Sequence, residues 1–299
     1  MYLVLNSYKV YNAIITEFLK DVKKNMKLKK VCLLLSHERW LTGLEKMIEK
    51  LRACGVSCEA RLAEEGYKPE AATLYLTDCA SAVSKLQRAG LPVLAYLHEE
   101  NRDADFSEAG YACEKPEEVE PQYLERVYRR FMGLPWEILE TERCILRESV
   151  EEDVEAFGKI YAEPCITKYI EALYDSKVSQ RAYIREYREK VYAYYEFGIW
   201  TVILKETGEV IGRAGLSVRE GYALPELGYV IGVPWQGKGL AREVCQGILQ
   251  YAWEEFGFDR VQALIHQENA ASLRLAAALG FEKQKQTGNN LVIFVRSKQ

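Results

Sequence analysis

The sequence has 299 residues, of which 48% are hydrophobic and 28% are charged, and its formal net charge at pH 7 is −4. This length suits two domains, each large enough to bury a core. The slightly acidic balance provides no basic surface for nucleic acid, and no apolar run is long enough for a membrane span or a signal peptide. We therefore expect a cytoplasmic protein without nucleic-acid or membrane partners.

The cysteines and histidines predict no metal site. The eight cysteines include no Cys-x-x-Cys pair, several of them lie inside apolar patterns, and the chain has only three histidines. Such cysteines are typical of reduced core residues, more than of metal ligands or disulfides.

The first part of the chain alternates short apolar segments with helical ones. An amphipathic helix is predicted over residues 1–28 from apolar residues at helical spacing. The predicted strands are Val31–Leu35, Val56–Leu62, Ala72–Thr77, Pro92–Leu97 and Tyr111–Cys113, and the predicted helices are Glu38–Ala53, Cys79–Arg88 and Pro121–Met132. Apolar strands between helices indicate a parallel sheet covered on both faces. We predict a small Rossmann-like or flavodoxin-like α/β layer domain.

Two polar segments of this domain follow predicted strand ends, where open α/β sheets bind ligands. They are Thr77-Asp78 and residues 98–103. The layout distantly resembles haloacid-dehalogenase-like or receiver-like cores, but the Asp-x-Asp-x-Thr pattern of the former is absent. We expect Asp78 to cap the following helix, and we expect no catalysis in this domain.

A domain boundary is predicted near residue 135, because Gly133 ends a helix and Pro135 prevents its continuation. The predicted domains are residues 1–135 and 136–299. In the second, the predicted strands are Arg143–Arg147, Ile199–Lys205, Glu209–Val218, Leu227–Val233, Arg260–His266 and Leu291–Arg296. The predicted helices are Glu151–Tyr161, Val178–Tyr195, a helix from about Gly239 to Phe256, and Asn269–Leu279.

A glycine-rich turn joins the fourth of these strands to the third helix. Pro234 closes the strand, and Gln236-Gly-Lys-Gly239 precedes the helix. Glycines permit positive φ and leave the backbone amides accessible, while the helix N-terminus attracts anions. With Lys238 and Arg242 nearby, the turn is a candidate diphosphate site. The alternative is that both glycines only form a tight turn.

Two motifs resemble one family. Gln236-x-x-Gly239-x-Ala241 is similar to the signature of the GNAT superfamily of acyl-CoA-dependent N-acetyltransferases. Asn269-Ala-Ala-Ser272 followed by Leu279-Gly-Phe281 is similar to its second motif, although helix capping alone would also favour Asn269, Ser272 and Gly280. The residues of both motifs are most similar to those of the ribosomal-protein N-terminal alanine acetyltransferase-like branch. The resemblance covers residues 137–299 and implies a mixed β-sheet with splayed central strands and four helices.

The resemblance also implies a co-substrate, acetyl-CoA, and residues that hold it without a metal. The implied coenzyme-binding residues are Val230, Ile231, Gly232, Val233, Gln236, Gly237, Lys238, Gly239, Leu240, Ala241 and Asn269. An amide near Val230 or Ile231 would face the oxyanion, and Ser272 would lie near the sulfur.

Catalytic groups are less strongly indicated. Glu226 is the candidate base, with an ordinary solvated carboxylate as the alternative, and Glu268 is a weaker candidate. Many relatives have a tyrosine acid where this chain has Ala276, so Ser272 is the substitute acid.

Acidic and aromatic residues of the segment between the first two helices would attract an amine. Tyr169, Glu171 and Tyr229 are the candidate substrate-binding residues. We predict transfer of an acetyl group to a primary amine, either a protein N-terminus or a small amine. The alternative is an acyl-CoA sensor that has lost catalysis. A homodimer is compatible with either function.

Overall fold

The computed structural model describes residues 27–287 and 290–298, so that the helix predicted over residues 1–28 lies almost wholly outside the described residues. The chain divides into two compact units, of which the first ends at Leu134 and the second begins at Pro135. The predicted domain ranges, 1–135 and 136–299, stay a prediction, because compactness alone does not establish that each unit folds independently.

The first unit contains a parallel sheet with the strand order β2-β1-β3-β4-β5. Its strands are β1 (Lys30–Leu35), β2 (Ser57–Leu62), β3 (Thr73–Thr77), β4 (Val93–Tyr96) and β5 (Ala112–Cys113). Its helices are α1 (Glu45–Ala53), α2 (Ala80–Arg88) and α3 (Pro121–Phe131), with a 3₁₀ helix, Glu38–Leu44, before α1. Alternate β1 residues enter two different core clusters, Val31 and Leu33 on one face and Cys32 and Leu34 on the other. This burial on both faces explains the continuous apolar strands.

The prediction that Asp78 caps a helix is wrong. Cys79 occupies the N-cap position of α2, and no side chain caps that helix. The buried Asp78 carboxylate instead accepts hydrogen bonds from the Ser36 amide at 2.6 Å and from Ser36 Oγ at 2.5 Å. Its Oδ2 also lies 3.2 Å from His98 Nε2. Asp78 therefore joins the carboxyl ends of β1 and β3, because a buried carboxylate requires several donors.

The second unit contains an eight-stranded mixed sheet with the order β12-β13-β11-β10-β9-β8-β7-β6. Its strands are β6 (Glu137–Glu140), β7 (Cys144–Arg147), β8 (Ile199–Leu204), β9 (Val210–Ser217), β10 (Glu226–Ile231), β11 (Arg260–His266), β12 (Glu282–Gln286) and β13 (Leu291–Ser297). The pair β10–β11 is parallel and the other pairs are antiparallel. Sequence patterns missed β6 and β12, which are the two edge strands.

Helices cover both faces of this sheet. They are α4 (Val154–Tyr161), α5 (Pro164–Thr167), α6 (Lys177–Tyr187), α7 (Ala193–Tyr195), α8 (Leu240–Glu255) and α9 (Ala270–Ala278). A π-helical turn, Arg188–Tyr192, joins α6 to α7, where the sequence predicts one continuous helix. The main core contains Ala214 of β9 together with Val244 and Ile248 of α8. A smaller cluster on the opposite face contains Phe157 of α4 and Ile184 of α6.

No helix within the described ranges is long and apolar enough to span a bilayer.

Candidate active site

A gap opens between β10 and β11. The two strands pair at Glu226 and Gln262, and the Gln262 amide donates to Pro225 O at 2.9 Å. No further β10–β11 pair follows within the described residues, although β10 stays paired with β9 as far as Ile231. The parallel strands therefore separate towards their carboxyl ends.

Backbone groups of β10 line this gap. The Gly232 amide donates to Ile211 O on β9 at 2.9 Å. The backbone N–H and C=O groups of consecutive residues point alternately to the two sides of a strand. The Val230 amide therefore also points to β9. The Tyr229 and Ile231 amides point to the β11 side. In agreement, Ile231 O accepts a hydrogen bond from Gln236 Nε2 at 2.8 Å.

The glycine turn is open to ligand. Gly237 and Gly239 have φ values of 73° and 80°, which L side chains rarely adopt. A Cβ added to Gly237 would meet no atom within 4 Å. Gly239 is the N-cap residue of α8, and because it has no side chain it makes no capping hydrogen bond to the first amides of the helix. The first-turn amides of α8 therefore remain available to an anion. Lys238 and Arg242 are exposed beside them.

An ion pair that the sequence did not indicate fixes this turn. Arg143 Nε contacts Glu243 Oε2 at 2.7 Å, and Arg143 Nη1 donates to Lys238 O at 3.0 Å. Thr141 Oγ1 donates to Glu243 Oε1 at 2.6 Å. Burial opposes ionisation of Glu243, but the hydrogen bonds from Thr141 and Arg143 lower its pKa. These contacts tie the start of α8 to the β6–β7 hairpin.

Glu226 lies where β10 and β11 still pair. Its side chain is 14% exposed, and its Oε2 lies 3.0 Å from Arg219 Nε. Burial raises the pKa of Glu226 and Arg219 opposes the rise. A partly desolvated carboxylate with a raised pKa is suited to accept a proton.

Ser272 is joined to Tyr229 across the gap. Tyr229 Oη donates to Ser272 Oγ at 2.8 Å, and the Ser272 amide donates to Asn269 Oδ1 at 3.1 Å, which caps α9. Burial raises the pKa of Tyr229 to about 12. Tyr229 packs against the core cluster that contains α8, whereas Val230 belongs to the opposite face.

Comparison with known proteins shows to which family the chain belongs. The model of the acetyltransferase (GNAT) domain matches residues 143–282. The relative from Bacillus licheniformis named Uncharacterized N-acetyltransferase p20 is 30% identical over 149 residues, which are 50% of this chain and 84% of the relative. The chain belongs to the GNAT acetyltransferases.

Two other similar proteins are the [Ribosomal protein uS5]-alanine N-acetyltransferase of Escherichia coli and a solved structure from Agrobacterium tumefaciens. The first is 35% identical over 112 residues, which are 37% of this chain and 56% of the relative. The second is titled an acetyltransferase, is 21% identical and has a TM-score of 0.47, with 54% of this chain and 94% of that chain covered. The predicted GNAT family and the predicted enzyme class, N-acetyltransferase, are confirmed.

Two of the predicted substrate-binding residues of this GNAT acetyltransferase, Tyr169 and Tyr229, each make a hydrogen bond near the start of α9. Tyr169 donates to Glu268 O at 3.2 Å and its ring lies 5.2 Å from that of His266, so it reaches the end of β11. Glu171 is exposed two residues further on. The hydroxyl of Tyr229 binds Ser272. Ala276, which occupies the position where the family resemblance implies a tyrosine acid, is buried in the core cluster.

Proposed function

We propose that the second unit transfers the acetyl group of acetyl-CoA to a primary amine, which attacks the thioester directly. The observation that carries this proposal is the gap between β10 and β11, which begins beside a desolvated carboxylate and ends at an open helix N-terminus. Acetyl-CoA supplies an activated acyl group and a thiol that leaves readily.

Main-chain groups would hold the coenzyme. Residues Gln236 to Ala241 would bind its diphosphate with turn and helix amides, which the positive φ values of Gly237 and Gly239 leave accessible. The strand Val230 to Val233 and Asn269 would bind the pantetheine. In this arrangement the Tyr229 and Ile231 amides are the β10 donors that can reach the carbonyl oxygen as it gains negative charge.

Glu226 would accept the proton of the attacking amine, directly or through water. Its raised pKa brings it closer to that of the group that it must deprotonate, which improves general-base catalysis. By alternation along β10, Glu226 shares with Val230 the sheet face that α4 and α6 cover. The amine would therefore approach from that face.

Ser272 would deliver a proton to the departing sulfur and take one from Tyr229, whose phenolate would then regain a proton from solvent. The 2.8 Å hydrogen bond from Tyr229 Oη supports this order, since Ser272 Oγ accepts from Tyr229 and keeps its own proton for donation. A thiol with a pKa of roughly 8.5 leaves tolerably without an acid, so this role accelerates the reaction but is not essential.

The acceptor is proposed to be a peptide N-terminus or a small amine, bound beside Tyr169 and Glu171. The name of the E. coli relative, a ribosomal-protein alanine acetyltransferase, supports a peptide N-terminus. The exposed Glu171 supplies a negative charge for an ammonium group.

The test is release of CoA thiol by the full chain with acetyl-CoA and a panel of amines and N-terminal peptides. We expect turnover with at least one acceptor, a loss of roughly 100-fold in Glu226→Gln, and wild-type rates in the control Glu220→Gln, which changes an exposed carboxylate. Tight acetyl-CoA binding without turnover would instead support a sensor, and no binding would refute both functions.

A further inference from the structure

Arg213 of β9 is a buried arginine without a partner. The residue is 9% exposed, and its Nε has no hydrogen-bond partner. Its guanidinium carbon lies 4.9 Å from the centre of the Phe157 ring, on α4. Within the described part of the chain, the Arg213 side chain makes no hydrogen bond or ion pair.

The buried Nε of Arg213 is unfavourable, because this N–H donor loses water and gains no acceptor. Contact with an aromatic face offsets only part of that loss. Arg147, on the same sheet, shows how a largely buried arginine is usually stabilised. Arg147 Nη2 and Nη1 bind the two oxygens of Asp153 at 2.6 and 2.7 Å. Asp153 also accepts from Thr201 Oγ1 and from the Val150 amide, so its carboxylate is fully used.

Two of the four tyrosines around Arg213 have hydroxyls that are already hydrogen-bonded, and Tyr192 Oη also accepts from the Ser149 amide at 3.3 Å. Tyr187 Oη accepts from the Ile199 amide at 3.0 Å, and Tyr192 Oη donates to Ile199 O at 2.6 Å. Tyr161 and Tyr183 lie near enough to Arg213 that ionisation of either phenol would raise the Arg213 pKa, and neither hydroxyl has a hydrogen bond within the described residues. Arg213, Tyr161 and Tyr183 together present unused donors on one face of the sheet.

That face is the one proposed for the acceptor. Arg213 pairs with Val230 of β10, and side chains of paired residues point to the same side. Adjacent strands are about 4.8 Å apart, so the Arg213 backbone is one strand away from the proposed reaction centre. Tyr183 also lies near Glu171, the exposed carboxylate proposed to attract the ammonium group: burial raises the pKa of Tyr183, and the charge of Glu171 adds to the rise. The face thus carries a cation and an anion at separate points.

We infer that Arg213 binds a carboxylate of the acceptor, which is therefore an amine that also carries an acid group. Arginine is suited to this recognition, because its planar fork matches a carboxylate bidentately. The inference rests on the proposed function, and both a free amino acid and a peptide with an acidic side chain have the required chemistry.

The kinetic test compares matched acceptors with the full chain and acetyl-CoA. One arm uses amino acids and their amides, and the other uses peptides with Asp or Glu near the N-terminus and the same peptides with Asn or Gln. We expect kcat/KM to favour the carboxylate in one arm by roughly tenfold to a hundredfold, which a charged hydrogen-bonded pair supplies. Arg213→Met should abolish this preference without changing KM for acetyl-CoA, and Arg213→Lys should retain part of it. Arg181→Met, which removes an exposed arginine of α6, should retain all of it.

A binding test separates this inference from the proposed function. We expect glutarate to raise the Tm of the wild-type chain and of Arg181→Met, and to leave that of Arg213→Met unchanged. If no amine is acetylated but the glutarate effect depends on Arg213, the anion site stands and the proposed function fails. If amines are acetylated without preference for carboxylate and glutarate acts equally on all variants, Arg213 is structural and the inference is wrong. Should Arg213→Met not fold, Arg213→Lys decides by the same two measurements.

Discussion

Tyr229 Oη donates a 2.8 Å hydrogen bond to Ser272 Oγ and so connects the strand on one side of the gap with the helix on the other. The sequence predicts separate roles for these residues, Tyr229 with the acceptor and Ser272 with the sulfur. The contact makes them one hydrogen-bonded unit.

If this unit protonates the leaving sulfur, Tyr229→Phe and Ser272→Ala should each lower kcat by about tenfold, a modest effect because the thiolate leaves readily by itself. The double variant should be no slower than the slower single variant, because both substitutions interrupt one proton path. Multiplicative losses in kcat would show that the two residues act independently.

The pH dependence of kcat/KM should follow Glu226. Burial raises the pKa of Glu226, so the rate should fall as pH decreases through a value above that of an ordinary glutamate, where the carboxylate becomes protonated. Arg219 opposes the rise, and Arg219→Gln should therefore shift this acidic limb to higher pH. Glu226→Gln should remove the contribution of Glu226 and leave only the limb that protonation of the acceptor amine produces. An acidic limb that is unchanged in both variants would assign the base to another group.

The Arg143 contacts should affect the binding of acetyl-CoA more than the rate of the chemical step. Arg143→Met removes the hydrogen bond to Lys238 O and the ion pair with Glu243, so the glycine turn loses its anchor. We expect KM for acetyl-CoA to rise roughly fivefold, the effect of about 1 kcal/mol, with kcat little changed. Lys205→Met, which breaks an ion pair with Glu140 nearby, is the matched control and should leave both constants unchanged.

Gly212 should be irreplaceable in β9. A Cβ there would lie 2.1 Å from Val230 O, so an alanine would force β9 and β10 apart. Gly212→Ala should lower the free energy of unfolding by about 2–3 kcal/mol. Gly158→Ala on α4, where an added Cβ meets no atom within 4 Å, should raise it by about 0.5–1 kcal/mol, because glycine disfavours helix. Chemical denaturation measures both, and an equally stable Gly212→Ala would contradict the strand geometry.

Sequence patterns predict the buried strands well, since burial itself produces the pattern. The predicted range Arg260–His266 coincides with β11, and Arg143–Arg147 differs from β7 by one residue. They fail for β12, because all five of its residues are exposed and polar. Local sequence patterns also give the wrong role for Asp78, because its partners Ser36 and His98 are distant in the chain.

Some features of the candidate site could likewise be predicted from the sequence and others could not. The glycine turn is visible in the sequence because positive φ demands glycine at Gly237 and Gly239. The Arg143–Glu243 pair spans 100 positions, and the burial of Arg213 depends on helices from elsewhere in the chain. Neither follows from spacing, because each is set by tertiary packing.

The polar edge strand β12 has a consequence for assembly. An exposed row of lysine, glutamate and glutamine side chains disfavours docking of a further strand from another molecule. A continuous sheet shared by two copies of this unit would therefore have to grow from β6 at the opposite edge.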